Sequence, residues 1–219
     1  MKRNQSGFTL IEIAIVLVII GLLLGGVLKG QELINSAKVK NLATDFKNVP
    51  IYIYGYQDKY KALPGDDALA TTHLSAASGV TITIGNGNGI IDGQWGPYTT
   101  PPSPTTEAYQ FWQQIRLAGF GPGSTDPTAA DYMPRNAVGG TIGVTNAASS
   151  PITGLKGTYI VCSDSIPGKF AKQLDVTLDD GNTATGSVEV VPAGTTTATT
   201  PTATTAIIDD TTYLVCMGY

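Results

Sequence analysis

The most prominent pattern in the sequence is a continuous apolar stretch close to its N-terminus. The stretch begins at Phe8, ends at Leu28 and is interrupted only by a threonine, Glu12 and glycines. A helix of about 20 apolar residues is long enough to cross the hydrocarbon core of a bilayer. Because the basic residues Lys2 and Arg3 precede the stretch, the positive-inside rule predicts a cytoplasmic N-terminus.

Two ordinary explanations for such a stretch fit poorly. A cleaved secretory signal has a shorter apolar region of about 7–15 residues, and its small-residue cleavage site follows that region. Here the small residue, Gly7, comes before the apolar stretch. A simple membrane anchor does not explain Glu12, because a carboxylate within an apolar span is costly and indicates a function with a specific partner.

Residues 7–12, with the sequence Gly-Phe-Thr-Leu-Ile-Glu, carry a resemblance to a known family. Together with the short basic leader and the apolar stretch, they resemble the processing site of type IV prepilins and of type II secretion pseudopilins. The glycine before phenylalanine and the glutamate four residues after it make this motif highly specific. The resemblance covers roughly the first 35 residues.

The resemblance implies a maturation pathway. Prepilin peptidase would remove leader residues 1–7 by cutting after Gly7, and it would methylate the new amine of Phe8. Glu12 would pair with that amine on a neighbouring subunit. The protein would reside in the inner membrane before assembly and then in a periplasmic or cell-surface filament built from itself or related pilins.

The physical chemistry of the segment agrees with this assembly role for Glu12. An amine and a carboxylate are each costly in lipid, and pairing them between neighbours lowers that cost and sets axial register. The alternative is a lone glutamate that stays protonated or extends its carboxyl group to the membrane surface.

The helical pattern continues beyond the membrane segment. One face keeps helical spacing before and after Pro50, at Val39, Leu42, Phe46, Val49, Ile53, Tyr56 and Tyr60. We expect one long helix over residues 8–60, of which 8–28 form the transmembrane or filament-core part. Pro50 removes a backbone hydrogen bond and predicts a kink.

Residues 61–219 are expected to form a globular α+β head. Ser103 and Pro104 suit the start of a helix over residues 105–119. Alternating or β-branched segments predict strands at residues 80–84, 159–162, 173–178, 187–191 and 212–216. The expected fold class is therefore α+β, with the long N-terminal hydrophobic helix packed on a C-terminal antiparallel β-sheet, as in pilins.

Composition adds two constraints. The 26 glycines and 13 prolines favour a loop-rich head, and the net charge of −4 argues against a general nucleic-acid-binding protein. The two cysteines, Cys162 and Cys216, each end a β-like segment. In an exported protein they predict a disulfide, whereas in a cytosolic domain they would be two buried thiols. Many type IV pilins have a similarly placed disulfide-bounded region.

Catalytic patterns do not emerge from the sequence. His73 is the only histidine, and neither zinc-site spacing nor a phosphate-binding loop accompanies it. We therefore expect no enzyme activity, no cofactor and no metal. The loop from Asn86 to Asp92 offers side-chain oxygens for calcium, but it lacks the spacing of an EF-hand, and turn chemistry alone explains its Asn-Gly pairs.

The threonine-rich segment over residues 193–206 predicts an exposed loop and a potential acceptor of O-glycans. We expect a structural subunit, either a major or a minor pilin, of a type IV pilus-like filament. The alternatives are a pseudopilin of a type II secretion system and a membrane-anchored binding domain. The disulfide-bounded region and the threonine-rich loop favour a pilin.

Overall fold

The computed structural model describes residues 9–76, 78–96, 105–195 and 197–219. These residues divide into two compact units, with the boundary between Lys38 and Val39. The first unit is the N-terminal part of a long helix. The second unit contains a hydrophobic core and a β-sheet.

Helix α1 extends from Leu10 to Tyr60. Within the second unit it buries the apolar face that the sequence predicts, at Val39, Leu42, Ala43, Phe46, Val49, Ile53 and Tyr56. Pro50 lies inside the helix, so the helix continues beyond it, and the kink stays a prediction. Lys61 follows with φ at 57°, the left-handed conformation that ends many helices.

Two further helices precede the sheet. Helix α2 is the short segment Ala70–His73, and helix α3 comprises Glu107–Leu117. Helix α3 confirms the predicted second helix and buries Trp112 and Ile115. The suggested starting residues 103 and 104 lie outside the described part of the chain.

Four antiparallel strands form the sheet in the order β1-β2-β4-β3. Their bounds are Ile142–Thr145 for β1, Ile160–Pro167 for β2, Val188–Pro192 for β3 and Thr212–Gly218 for β4. Helix α4, Gly168–Leu178, connects β2 to β3. The long helix and this antiparallel sheet confirm the α+β, pilin-like class.

Alternation along the strands buries both faces of the sheet. In β4, Tyr213 and Val215 join a large core with α1, α3 and α4, while Leu214 and Cys216 join a second cluster. The second cluster also contains Trp95, Ile152 and Leu155, which come from irregular segments. Packing on both faces explains why the strands contain so few exposed residues.

Two strand predictions were wrong. Residues 173–178 belong to helix α4. The buried residues Phe170, Ala171 and Leu174 share one face of this helix, and two of them precede the predicted strand, so the strand pattern was read from only part of the element. Residues 80–84 are irregular. The carbonyl groups of Thr81 and Thr83 there accept hydrogen bonds from side-chain amides of α3 rather than from a neighbouring strand.

A disulfide joins Cys162 of β2 to Cys216 of β4, the pair that the sequence analysis identified. The two residues lie directly opposite each other in the antiparallel register, and both are fully buried. The bond closes a loop of sequence separation 54 that contains α4, β3 and the threonine-rich segment. It therefore links the two central strands of the sheet.

The threonine-rich segment is anchored at several points. The backbone of Thr199 pairs with the segment at Pro151, and the Thr202 N–H donates to the Val190 carbonyl at 2.7 Å. Thr197, Thr200 and other side chains remain exposed to solvent. The described residues of the segment thus form a surface loop, and its O-glycosylation stays a prediction.

Removing the disulfide should destabilise the head. The double variant Cys162→Ala/Cys216→Ala should lose about 4 kcal/mol of unfolding free energy, since the open loop regains its entropy in the unfolded chain. Urea unfolding followed by circular dichroism measures this loss. Wild-type protein unfolded with reductant should match the variant. Equal unfolding free energies for the variant and the oxidised wild type would contradict a stabilising disulfide.

Candidate functional site: the first turn of α1 and its apolar surface

Thr9 and Glu12 form a reciprocal set of hydrogen bonds at the start of α1. The Thr9 N–H and the Thr9 Oγ1 donate to Glu12 Oε2 at 2.7 and 2.8 Å, and the Glu12 N–H donates to Thr9 Oγ1 at 3.3 Å. This arrangement is a capping box, which satisfies backbone N–H groups that a helix leaves unpaired at its N-terminus. Glu12 therefore has a structural role within its own chain.

This cap was not predicted, although its signal is present in the sequence. A threonine followed three residues later by a glutamate, directly before an apolar stretch, predicts a capping box. The cap also positions a carboxylate at the positive end of the helix dipole. Gly7 and Phe8, the predicted processing and methylation residues, lie outside the described part of the chain.

The first unit exposes an extensive apolar surface. Leu10 is 88% exposed, Leu22 is 73% exposed and Leu28 is 67% exposed. The helix has a mean hydropathy of 2.8 over its most apolar 18-residue window, and none of that window is buried. It is thus one helix that is long and apolar enough to cross a membrane. Such a surface requires lipid or other protein to cover it.

The loop from Asn86 to Asp92 contacts a buried carboxylate through its backbone. Asp66 is only 4% exposed, and its carboxylate accepts N–H groups from Gly87 at 2.7 Å, Asn88 at 3.1 Å and Gly89 at 2.7 Å. The loop therefore directs hydrogen-bond donors towards Asp66. This is the reverse of a cation site, in which a loop directs oxygens inward.

Two more carboxylates, Asp92 at the end of the loop and Glu107 beside it, also accept hydrogen bonds. Asp92 accepts hydrogen bonds from the side-chain amides of Asn86 and Asn88 at 3.1 and 2.8 Å. Glu107 accepts the N–H groups of Asn86 and Asp92, both at 2.8 Å. Burial raises the pKa of Glu107, and these two N–H groups partly oppose the rise.

The three carboxylates hold the loop through hydrogen bonds. Within the described ranges, no group of three or more His, Cys, Asp or Glu side chains is arranged to hold a metal ion. The sequence could not foresee the role of Asp66, because it lies some 20 residues before the loop that it contacts.

Residues 2–28 match the prokaryotic N-terminal methylation motif. This motif is the signature of type IV pilins and pseudopilins, so the match confirms the resemblance of the N-terminal segment. The motif is characteristic of structural subunits rather than enzymes. The chain thus combines a type IV pilin or pseudopilin signature with an α+β, pilin-like fold.

No curated protein and no solved structure matches the chain significantly. The finer assignment of the protein therefore depends on its own residues.

Because Asp66, Asp92 and Glu107 already accept hydrogen bonds from the loop, we expect that calcium does not stabilise the head. Adding about 10 mM calcium or a chelator should leave the melting temperature unchanged, whereas a site of even millimolar affinity would raise stability measurably. The replacement Asp66→Asn should instead cost about 1–3 kcal/mol, because it turns an amide donor towards buried N–H groups.

The matched control for that replacement is Asp58→Asn on the exposed surface of α1. Asp58 forms only a solvent-exposed ion pair with Lys61, so its loss should change stability little. Differential scanning calorimetry of the three proteins, with and without calcium, measures both effects. A calcium-dependent rise in the wild type that disappears in Asp66→Asn would contradict the hydrogen-bonded arrangement.

Proposed function

We propose that the protein is a structural subunit, a major or minor pilin, of a type IV pilus-like filament. The observation that carries the proposal is the match of residues 2–28 to the methylation motif, joined to an exposed apolar helix. Prepilin peptidase removes leader residues 1–7 by cutting between Gly7 and Phe8, and it methylates the Phe8 amine. The subunit has no catalytic role.

The apolar part of α1 serves as the anchor and then as the assembly element. Before assembly the inner membrane covers its exposed leucines and isoleucines. In the filament the equivalent helices of other subunits replace the lipid, so little apolar surface meets water at either stage. The head then lies in the periplasm or at the cell surface.

Glu12 combines two roles in this proposal. Its capping bonds both end on Oε2, and Oε1 accepts no hydrogen bond within the described residues. Oε1 is therefore available to the methylated Phe8 amine of a neighbouring subunit. The cap restricts the side chain before docking, which lowers the entropy that the pair must overcome.

Glycines along the same helix support close packing between subunits. A Cβ atom at Gly21, Gly25, Gly26 or Gly30 would meet open space, so the packing of this chain alone does not require glycine there. Each glycine costs the helix up to about 1 kcal/mol relative to alanine. Small residues let helix backbones approach each other closely, which gives these positions a purpose in a filament.

The two alternatives predict different cellular locations. A pseudopilin of a type II secretion system would stay within the envelope, and a membrane-anchored binding domain would keep its leader and remain a single subunit. The disulfide between Cys162 and Cys216 fits a head outside the cytoplasm, which a pilin and a pseudopilin share. The resemblance of this disulfide-bounded region, with its threonine-rich segment, to that of many type IV pilins favours a pilin. Recovery in sheared surface fibres distinguishes the pilin from both alternatives.

The replacement Glu12→Gln separates the two roles of this side chain. Glutamine keeps the capping box, since Gln also serves at this position, but it loses the charge that pairs with the amine. Unpairing a buried amine costs about 3–5 kcal/mol, so filament incorporation should fall sharply while the membrane pool persists. Glu12→Ala, which removes both cap and charge, should have at least the same effect. Immunoblots of sheared and membrane fractions measure the distribution.

The control is Glu32→Ala on the same helix. Glu32 forms an exposed ion pair with Lys29 at 2.7 Å, so its loss should leave filament yield near wild type. Normal filament yield from Glu12→Gln together with reduced yield from Glu12→Ala would mean that Glu12 acts only as a helix cap. Normal yield from both would refute the assembly role.

A further inference from the structure

The head contains a cleft of about 830 Å³ beside the C-terminal part of α1. Tyrosines and other planar polar side chains form much of its lining, namely Tyr54, Gln57, Tyr60, His73, Tyr159 and Tyr219. Clefts of this size commonly bind small molecules. Neither the disulfide nor the assembly helix accounts for this group of side chains.

The carboxylates of the cleft already accept hydrogen bonds from within the head. Asp67 accepts hydrogen bonds from the Tyr56 hydroxyl at 2.7 Å and from the Leu69 N–H at 2.8 Å, and it contacts His73 Nδ1 at 2.7 Å. Asp66 is held by the three backbone N–H groups described above. A metal ion or an organic cation would therefore have to displace these donors to bind either carboxylate.

An anionic ligand fits the cleft equally poorly. Lys61 at its rim donates to the Asp58 carbonyl at 2.6 Å and to the Asp58 carboxylate at 3.3 Å. The buried carboxylates of Asp66 and Asp67 would repel an anion. Charge thus disfavours ionic ligands of either sign.

The polar groups that remain for a ligand are neutral. The Tyr159 hydroxyl is buried and has no hydrogen-bond partner in the described parts of the chain. Burial and, after it, the neighbouring Tyr54 raise the pKa of Tyr159. The hydroxyl oxygen is buried, so a ligand in the cleft reaches it only after the exposed Tyr54 side chain shifts. Because an unpartnered buried hydroxyl is costly, a ligand hydroxyl that then pairs with it would gain affinity. With His73 Nδ1 directed at Asp67, its Nε2 is the nitrogen left for a ligand.

The aromatic rings give the cleft firm walls. Tyr159 stacks on Tyr219 with ring centroids 5.3 Å apart, and Tyr60 stacks on His73 at 5.1 Å. The Tyr219 hydroxyl donates to the Phe46 carbonyl at 2.8 Å, which fixes that ring against α1. Tyr54 is 61% exposed, so its ring is accessible to a ligand.

We propose that this cleft binds a neutral saccharide. A sugar ring presents an apolar C–H face that can stack on a tyrosine, and its hydroxyl groups both donate and accept hydrogen bonds. It therefore matches an accessible ring at Tyr54, the buried hydroxyl of Tyr159 and the amide of Gln57 without placing a charge near the carboxylates. The inference extends beyond filament assembly and does not depend on Glu12.

The test uses the full chain in micelles of a zwitterionic detergent that contains no sugar. The probes are the neutral disaccharides lactose, maltose, cellobiose and diacetylchitobiose, and saturation-transfer NMR measures their binding. At least one should bind. The variant Tyr54→Ala should weaken that binding by about tenfold or more, a loss typical of an aromatic contact residue. Tyr159→Phe, which removes only the hydroxyl, should weaken it less.

The matched control is Ile51→Ala, an exposed residue one turn earlier on α1 that does not line the cleft. It should bind the sugar like the wild type, and circular dichroism should show that all variants stay folded. Lack of binding by all four disaccharides at about 10 mM would overturn the proposal, as would equal affinities for Tyr54→Ala and Ile51→Ala. Because Glu12 is intact in these variants, either failure would leave the filament proposal standing.

Discussion

The free energy of exposing the first unit of α1 to water is the constraint on which the rest of the protein depends. Its leucines and isoleucines are largely exposed, and full burial of each such side chain is worth about 1.5–3 kcal/mol. The described residues of the chain do not cover this surface. A bilayer or other protein must therefore cover it, and the proposed function assigns these two roles to the inner membrane and to neighbouring subunits.

The second unit buries its own apolar residues, whereas the first unit does not. Helix α1 therefore contributes to the core of the head with one part and exposes an apolar surface with the other. Residues 39–60 of α1 bury their apolar face against the sheet and α3, and the disulfide links the two central strands of that sheet. In the proposed filament, the head would therefore keep its fold while the surroundings of the first unit change from lipid to protein. The residues that line the tyrosine-rich cleft all belong to this second unit.

The helices and strands with a regular apolar pattern over many residues were the ones that could be predicted from the sequence. Helix α1 and the strands β3 and β4 were predictable, because their apolar spacing is regular over most of each element. Only the first part of β2 was predicted, since its pairing register shifts between Ser163 and Ile166. Strand β1 was missed because it has four residues and contains Gly143, and residues 173–178 were too short a window to reveal α4. The contacts of Asp66 with residues 87–89 and of Asp67 with His73 and Tyr56 depend on tertiary folding, which local sequence does not encode.

The central claim is that the exposed helix becomes an assembly element only after the leader is removed. Intact-mass spectrometry of subunits from sheared filaments tests it most directly. The account predicts a chain that begins at Phe8 and carries one added methyl group, since cutting after Gly7 creates the amine that Glu12 pairs with. Assembled subunits that retain Met1 would contradict the account.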